Sequence, residues 1–340
     1  IQDIPAEITV AQAAPAIPIF NEYMKIGSIM IFNTAVIAIA IVALFTSPSD
    51  LNIDESTAVN KNTINNKEKY NMKFSIKKEV LLHSLNSVSK ALSSKNLIPV
   101  LSGIKFNLTN EGLFLSASDN DISIESFIDK SKLEEINEVG TTVIQGKYIL
   151  EIIRKLEGRI VNIELLDNIK VLISCGNSEF NLNSMDAAEF PNLNMEEKKE
   201  PIIIRKTEFK NLINKTSFAI SSQETRPILT GINFKINEDK LECISTDSYR
   251  LAKKYVTLSN SVSEDINIVI PGKNLIELTK ILEETDDDIE MHVFSNKVLF
   301  KFDNTLFQTR VLSGTFPDVN RLIPASFELE VKANANEFYN

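Results

Sequence analysis

Apolar residues first alternate with polar ones at Phe74 and Ile76, then take the spacing Val80, Leu81, Leu85, Val88 and Leu92. A period of two giving way to one near 3.6 predicts a short strand running into an amphipathic helix that ends near Ser93-Ser94. Ile202, Ile203 and Ile204, followed by Phe209, Leu212, Ile213 and Ile220, predict the same pair again, ending at Ser221-Ser222. Alternating runs at Leu113-Phe114-Leu115 and 122–128, bounded by turns such as Asn110-Glu111-Gly112, predict an antiparallel meander. A second helix starts at Ile144-Gln145-Gly146-Lys147 and runs through Leu150, Ile153 and Leu156; its counterpart starts at Ile270-Pro271-Gly272-Lys273 and includes Ile276 and Leu282. Strands follow at 160–165, 170–175 and 179–183, matched by 289–293, 297–302 and 306–311. The pattern predicts an α+β fold: repeated domains of antiparallel sheets with two helices each.

The two halves are copies. Pro99, Leu101, Gly103, Ile104, Phe106, Leu113 and Asp119 recur as Pro227, Leu229, Gly231, Ile232, Phe234, Leu241 and Asp247, all at an offset of 128 residues. Ile76, Lys78, Ala91, Ser93 and Ser94 recur at the same offset as Ile204, Lys206, Ala219, Ser221 and Ser222. At the second helix the offset is 126, and each copy closes on Phe190-Pro191-Asn192-Leu193 or Phe316-Pro317-Asp318-Val319. So many identities in one register mark an internal duplication. The expected divisions are 72–196 and 197–325. Residues 326–340 read as the truncated start of a third copy, because Asn336-Glu337-Phe338 resembles Thr207-Glu208-Phe209.

Residues 1–71 differ. The run 26–45 has about the length of a membrane-spanning helix and follows Lys25, while 47–71 is rich in Asn, Lys, Ser and Thr and reads as a disordered linker. Three readings stand side by side: an extension foreign to the repeats, since the chain opens on Ile1 and the pattern starts sharply at Met72; a membrane tether; or a helix docked on the domains.

The chain has 340 residues, 43% of them hydrophobic, enough for two or three buried cores. Cys175 and Cys243 lie in apolar strand-like runs without CxxC spacing, which predicts buried reduced thiols and a cytosolic setting. With His83 and His292 as the only histidines, neither a metal site nor a histidine triad is expected. The net charge of −10 is unevenly distributed. Lys73, Lys77, Lys78, Lys90 and Lys95 stand against Glu79 alone around the first helix, and Arg205, Lys206, Lys210 and Lys215 against Glu208 in the second copy. An acidic protein with basic helices can still present a positive face to phosphates. The plainer alternative is that these lysines only solvate their helices.

Residues 72–324 resemble the bacterial sliding clamp, the beta subunit of DNA polymerase III, over two domains and the start of a third. Pro99-Val100-Leu101-Ser102-Gly103, Ser118-Asp119, Thr246-Asp247-Ser248-Tyr249-Arg250-Leu251-Ala252, the Ile-x-Gly-Lys helix starts and the stretch from Phe316 to Pro324 carry the likeness. The resemblance implies a non-enzymatic processivity factor without cofactor. Such a factor is a homodimeric ring of three-domain subunits whose helices line a hole around duplex DNA. It is cytoplasmic and nucleoid-associated, and it tethers the polymerase III catalytic subunit, the clamp loader and other proteins bearing clamp-binding peptides. A chain ending at Asn340 would lack half of each ring interface and is expected to be monomeric. The rival is a membrane-tethered repeat binding protein, resting on 26–45.

The resemblance also implies sites. Lys95, Lys147, Gln223, Arg226 and Lys273 fall at DNA-facing positions, as phosphate contacts that carry no sequence information. Leu229, Thr246, Tyr249, Arg250, Leu251, Pro317, Arg321 and Leu322 fall at positions lining an apolar peptide pocket; the plainer alternative is that Leu229, Leu251 and Leu322 are ordinary core between two domains. Asp119 and Asp121 invite an acid–base reading. The second copy has Tyr249 in place of Asp121, which favours turn capping by Asp119 and Asp247.

Overall fold

The computed structural model describes residues 72–92, 98–167, 169–319 and 321. The apolar run 26–45, the linker 47–71, Lys95, Leu322 and the start of a third copy lie outside the described residues.

β1 (Lys73–Lys77) buries Phe74 and Ile76 and passes directly into α1 (Lys78–Val88), which buries Leu81, Leu85 and Val88. No side chain caps the helix start, but Glu79 lies in its first turn, where the backbone N–H groups favour negative charge. Then come β2 (Gly103–Leu108), β3 (Gly112–Ser118), β4 (Ile122–Asp129), β5 (Leu133–Glu138) and β6 (Gly140–Gln145). α2 (Gly146–Lys155), β7 (Ile160–Leu166), β8 (Lys170–Cys175) and β9 (Ser178–Met185) complete the first repeat. The second repeat has the same plan. β10 (Ile202–Arg205) enters α3 (Lys206–Thr216), followed by β11 (Gly231–Asn237), β12 (Lys240–Thr246), β13 (Leu251–Thr257) and β14 (Ile266–Pro271). α4 (Gly272–Ile281), β15 (Asp288–Val293), β16 (Lys297–Phe302) and β17 (Thr305–Arg310) close it. β5 escaped the pattern because only Leu133 and Ile136 are even half-buried on a strand otherwise acidic and exposed.

The Ile-x-Gly-Lys helix starts have a steric cause. A Cβ on Gly146 would collide with Leu92 Cδ1, and one on Gly272 would stand 2.7 Å from Ile220 Cδ1. Each glycine therefore lets the second helix of a repeat begin against the segment that ends the first.

Both repeats belong to one unit of the chain, Glu68–Asn340. Their strands join in a thirteen-stranded antiparallel sheet ordered β10-β15-β16-β17-β4-β3-β2-β6-β9-β8-β7-β1-β5, while β13-β12-β11-β14 form a second sheet. The seam between the repeats is β17 against β4, running from Thr305↔Ser126 to Thr309↔Ile122. It is extended at its ends by Phe127 N–H to Asn304 O at 2.8 Å and Arg310 N–H to Asp121 O at 3.2 Å. Buried residues of both repeats, including Ile124, Phe209, Phe300 and Phe307, form one continuous core.

The basic-helix expectation needs correction. Lys206, at the start of α3, is 1% exposed and donates to both carboxylate oxygens of Asp303, at 2.7 and 2.9 Å. Its counterpart Lys78 donates to the carbonyls of Leu156 and Arg154 at the end of α2. In the second repeat Lys210 does that work on Leu282 O, at 3.2 Å. These lysines neutralise helix-end carbonyls and the Asp303 carboxylate, so they are not available to phosphates. The partners lie 72 to 97 residues away, out of reach of local charge counting. Lys73 and Lys77 pair at the surface with Glu164 and Glu134.

Candidate functional site

Of the positions implied for DNA, Lys147 and Lys273 are exposed and stand second in α2 and α4, immediately after the glycines that allow those helices to start. Gln223 and Arg226 are exposed in the loop after α3. That loop is closed by Ser221 N–H to Leu229 O at 2.8 Å and by Leu229 N–H to Arg226 O at 3.0 Å. Ser221 Oγ accepts from Gln223 N–H at 3.1 Å. The loop is thus shaped by its own hydrogen bonds, and its long polar side chains extend outward.

The partner positions are partly brought together. Thr246 is buried, and its hydroxyl donates to Arg250 O at 2.7 Å and accepts from Ser248 N–H at 3.1 Å. Asp247 Oδ1 accepts the N–H groups of Tyr249 and Arg250, both at 3.0 Å, and Oδ2 takes Arg250 Nε at 3.0 Å. Those two backbone N–H groups, and then the Arg250 guanidinium, hold the Asp247 carboxyl below its ordinary range. Tyr249 is 98% exposed, Leu251 half-buried and Leu229 buried. Leu312 Cδ1 and Ile228 Cδ1 lie beside Gly231 and Gly314, so the segment after β17 crosses the Pro227–Thr230 turn. Pro317 and Arg321 are exposed, with Arg321 Nε 3.5 Å from Asp318.

Sequence reading missed a link between the two sets. Arg226 Nη1 donates to Ser248 Oγ at 3.4 Å, tying the loop after α3 to the Asp247 turn. The Arg250 guanidinium lies 5.8 Å from the ring centre of Phe218, which is 56% exposed. A signal existed: Phe218 stands where the first copy has Lys90.

Asp119 behaves as Asp247 does. Its Oδ1 accepts the N–H groups of Asp121 and Ile122 at 3.0 and 2.8 Å. Asn120 and Ser248 take matching positive φ angles of 75° and 78°. Both aspartates therefore cap a duplicated tight turn, and that task accounts for Asp119 without acid–base chemistry. Cys175 and Cys243 are buried free thiols, and burial pushes Cys243 well up.

Among the described residues, Glu197, Glu290 and His292 place possible ligand atoms within 4.8 Å of one another. The hydrogen bonding argues for a latch instead of a metal centre. Lys198 N–H donates to His292 Nδ1 at 2.9 Å, so in the neutral ring Nε2 carries the hydrogen, 3.4 Å from Glu290 Oε2. Glu197 pairs with Lys301 at 2.6 Å, and Lys297 donates to Asn194 O at 2.6 Å. Together they pin the segment between the repeats onto β15 and β16. Burial of His292 lowers its pKa, outweighing Glu290 and Glu197, which raise it; Lys301 lowers it further. The unfolded chain thus binds this proton more readily, so the latch is fully present above pH ~6.5 and is lost as pH falls below it. Melting temperature is expected to drop between pH 7 and pH 5.5. His292→Asn, whose amide oxygen can still accept from Lys198, is expected to flatten that slope.

The beta subunit of DNA polymerase III accounts for both repeats: its N-terminal domain matches residues 72–194 and its central domain 203–318. A beta sliding clamp of Bacillus subtilis (strain 168) is 42% identical over 271 residues, covering 78% of this chain and 72% of the relative. One of Staphylococcus aureus (strain Mu50) is 39% identical over 273 residues, covering 79% and 72%. The solved DNA polymerase sliding clamp of Bacillus subtilis superposes with a TM-score of 0.73 at 42% identity, over 75% of this chain and 68% of the other. These relatives lend nothing to the membrane-tethered alternative, and none of the described helices is long and apolar enough to cross a membrane. A duplicated α+β repeat joined through one sheet, matched in sequence and fold by the same proteins, places this chain in the family of the DNA polymerase III beta subunit, the beta sliding clamps.

Proposed function

We propose that the chain acts as a sliding clamp on duplex DNA, holding a replicative polymerase and other partners at the template without doing chemistry itself. The observation that carries this is the repeat: two equivalent helix pairs in one sheet framework, each presenting an exposed lysine, Lys147 or Lys273, at the same helix start. Lys147, Arg226 and Lys273 are exposed, and Lys95 joins them because it stands 128 residues before Gln223 in the register of the duplication. Contacts to phosphates alone suit a protein that slides, because they have no preferred sequence. Domain divisions at 72–196 and 197–325, a homodimeric ring and a cytoplasmic, nucleoid-associated setting belong to the same reading. Replacing Lys95, Arg226 and Lys273 together by Ala is expected to reduce the slope of log affinity against log salt by about 2.7 on duplexes of any sequence. Unchanged slope in a filter-binding titration would sink the DNA assignment.

The partner site proposed is Leu229, Thr246, Tyr249, Arg250 and Leu251 with Pro317, Arg321 and Leu322. An apolar floor beside an exposed Tyr and Arg is the composition of a peptide anchor. Leu251→Asp is expected to weaken an apolar clamp-binding peptide by about a hundredfold, since it places a charge where a desolvated side chain must sit. Intact binding by calorimetry would remove the site.

A further inference from the structure

A cavity of about 470 Å³ borders the seam between the repeats, where β17 begins beside β4. Val80 on α1, Ile128 on β4, Ile281 at the end of α4 and Phe302 on β16 give it apolar walls. Ser84 from α1, Ser126 from β4 and Thr305 from β17 also line it. Ser126 and Thr305 are register partners and share the strand faces of Ile124 and Phe307, so both turn toward the core side, which α1 covers. The three residues are 5%, 4% and 8% exposed, yet among the described residues none of their hydroxyls has a hydrogen-bond partner. Their oxygens are not sealed, as Gln308 Oε1 is, and the cavity is the space they border. Ser87, on the same wall, shows the ordinary solution for a helical serine by donating back to His83 O at 3.3 Å, a bond that Ser84 does not make. At the position of Ser84 the second repeat has Leu212, fully buried in its core. An unmet hydroxyl therefore stands where an apolar contact would stabilise the fold.

We propose that this cavity binds a small apolar molecule carrying one ammonium group, such as an arylalkylamine. The volume lies in the range of ligand pockets, the apolar walls suit a ring or short hydrocarbon chain, and the hydroxyls offer oxygen acceptors to ammonium N–H donors. Charge at the mouth selects the sign. Glu79 and Glu283 outnumber Lys132, while Asp303 is already neutralised by Lys206. Among the described residues Glu79 has no cationic partner and Glu283 has only His83, 3.9 Å away. A carboxylate or phosphate ligand would face that excess of negative charge. None of the lining residues belongs to the positions assigned to DNA or to the peptide pocket. Because the walls come from both repeats, an occupant also ties the seam together and stabilises the fold by mass action.

The test is a ligand-observed NMR titration of the full chain with phenethylamine at neutral pH, with phenylpropanoate as the carboxylate counterpart. Phenethylamine is expected to bind with a dissociation constant of about 1 mM, and phenylpropanoate about tenfold more weakly or worse. Ser126→Ala is expected to weaken the amine about tenfold, through loss of one hydrogen bond to a charged group. Glu79→Gln is expected to weaken it about threefold, as suits an exposed carboxylate. Ser84→Leu restores the residue type of the second repeat and fills the space, so it is expected to abolish binding. Ser126→Ala removes an unmet buried hydroxyl and is expected to be at least as stable as the parent, so it decides the matter if Ser84→Leu lowers the melting temperature. Equal binding of the two ligands, no amine binding at about 10 mM, or unchanged affinity in Ser126→Ala would each overturn the proposal.

Discussion

Phe307→Ala is expected to lower the free energy of unfolding by about 3–5 kcal/mol, the range for truncating a buried aromatic. Phe307 is fully buried on β17, pairs in register with Ile124 of β4, and meets the edge of Phe300 with ring centres 6.3 Å apart. Phe300 in turn lies 5.4 Å from Phe209 on α3. The three rings link the helix of the second repeat to the seam with the first, and the cavity left at Phe307 is walled by elements that cannot collapse without breaking sheet hydrogen bonds. The readout is the urea midpoint, together with hydrogen exchange of the β4 amides. Faster exchange at Ile124 as well as on β17 is expected, because the strands share one ladder. An unfolding free energy within about 0.5 kcal/mol of the parent's would mean that the seam is not a unit of stability.

Asp303→Ala is expected to cost about 2–3 kcal/mol, more than a surface ion pair and less than a fully buried one. Lys206 is 1% exposed while Asp303 is 53% exposed, so water softens the loss on the carboxylate side only. Without Asp303 the buried ammonium keeps Asp287 at 3.6 Å and Thr285 at 3.5 Å, too distant to replace two short charge-assisted bonds. Lys206→Met removes the charge and keeps the volume, so it is expected to cost less than Asp303→Ala, and the double variant is expected to recover part of the single variant's loss. Strict additivity of the two changes in chemical denaturation would show that the pair is uncoupled.

Much of this molecule is legible in the chain. The offset of 128 residues between the copies of Pro-x-Leu-x-Gly reappears as matching 3₁₀ turns, Pro99–Ser102 and Pro227–Thr230, each entering a strand at its glycine. Helix starts, strand faces and the two turn-capping aspartates follow from local spacing, because each depends on neighbours within a few residues. The charge reading failed where it depended on distant partners. Lys206 reads as a surface cation beside Glu208, yet its environment is set by Asp303, 97 residues on. Leu251 shows the intermediate case: an alternating strand cannot say whether an aliphatic residue at its end meets a core or an opening, and the structure leaves it half-buried beside a fully exposed Tyr249.

By itself the sequence determined the duplication, the α+β class and the family, since periodicity and repeated motifs are properties of residue order alone. Only the tertiary structure decided which cations face outward, that β17 of one repeat completes the sheet of the other, and that one copied turn borders a polar cavity while its twin carries Tyr249 and Leu251. The physical reason is that burial and pairing energies belong to groups far apart in the chain, and they take values only once folding has brought those groups within hydrogen-bond reach.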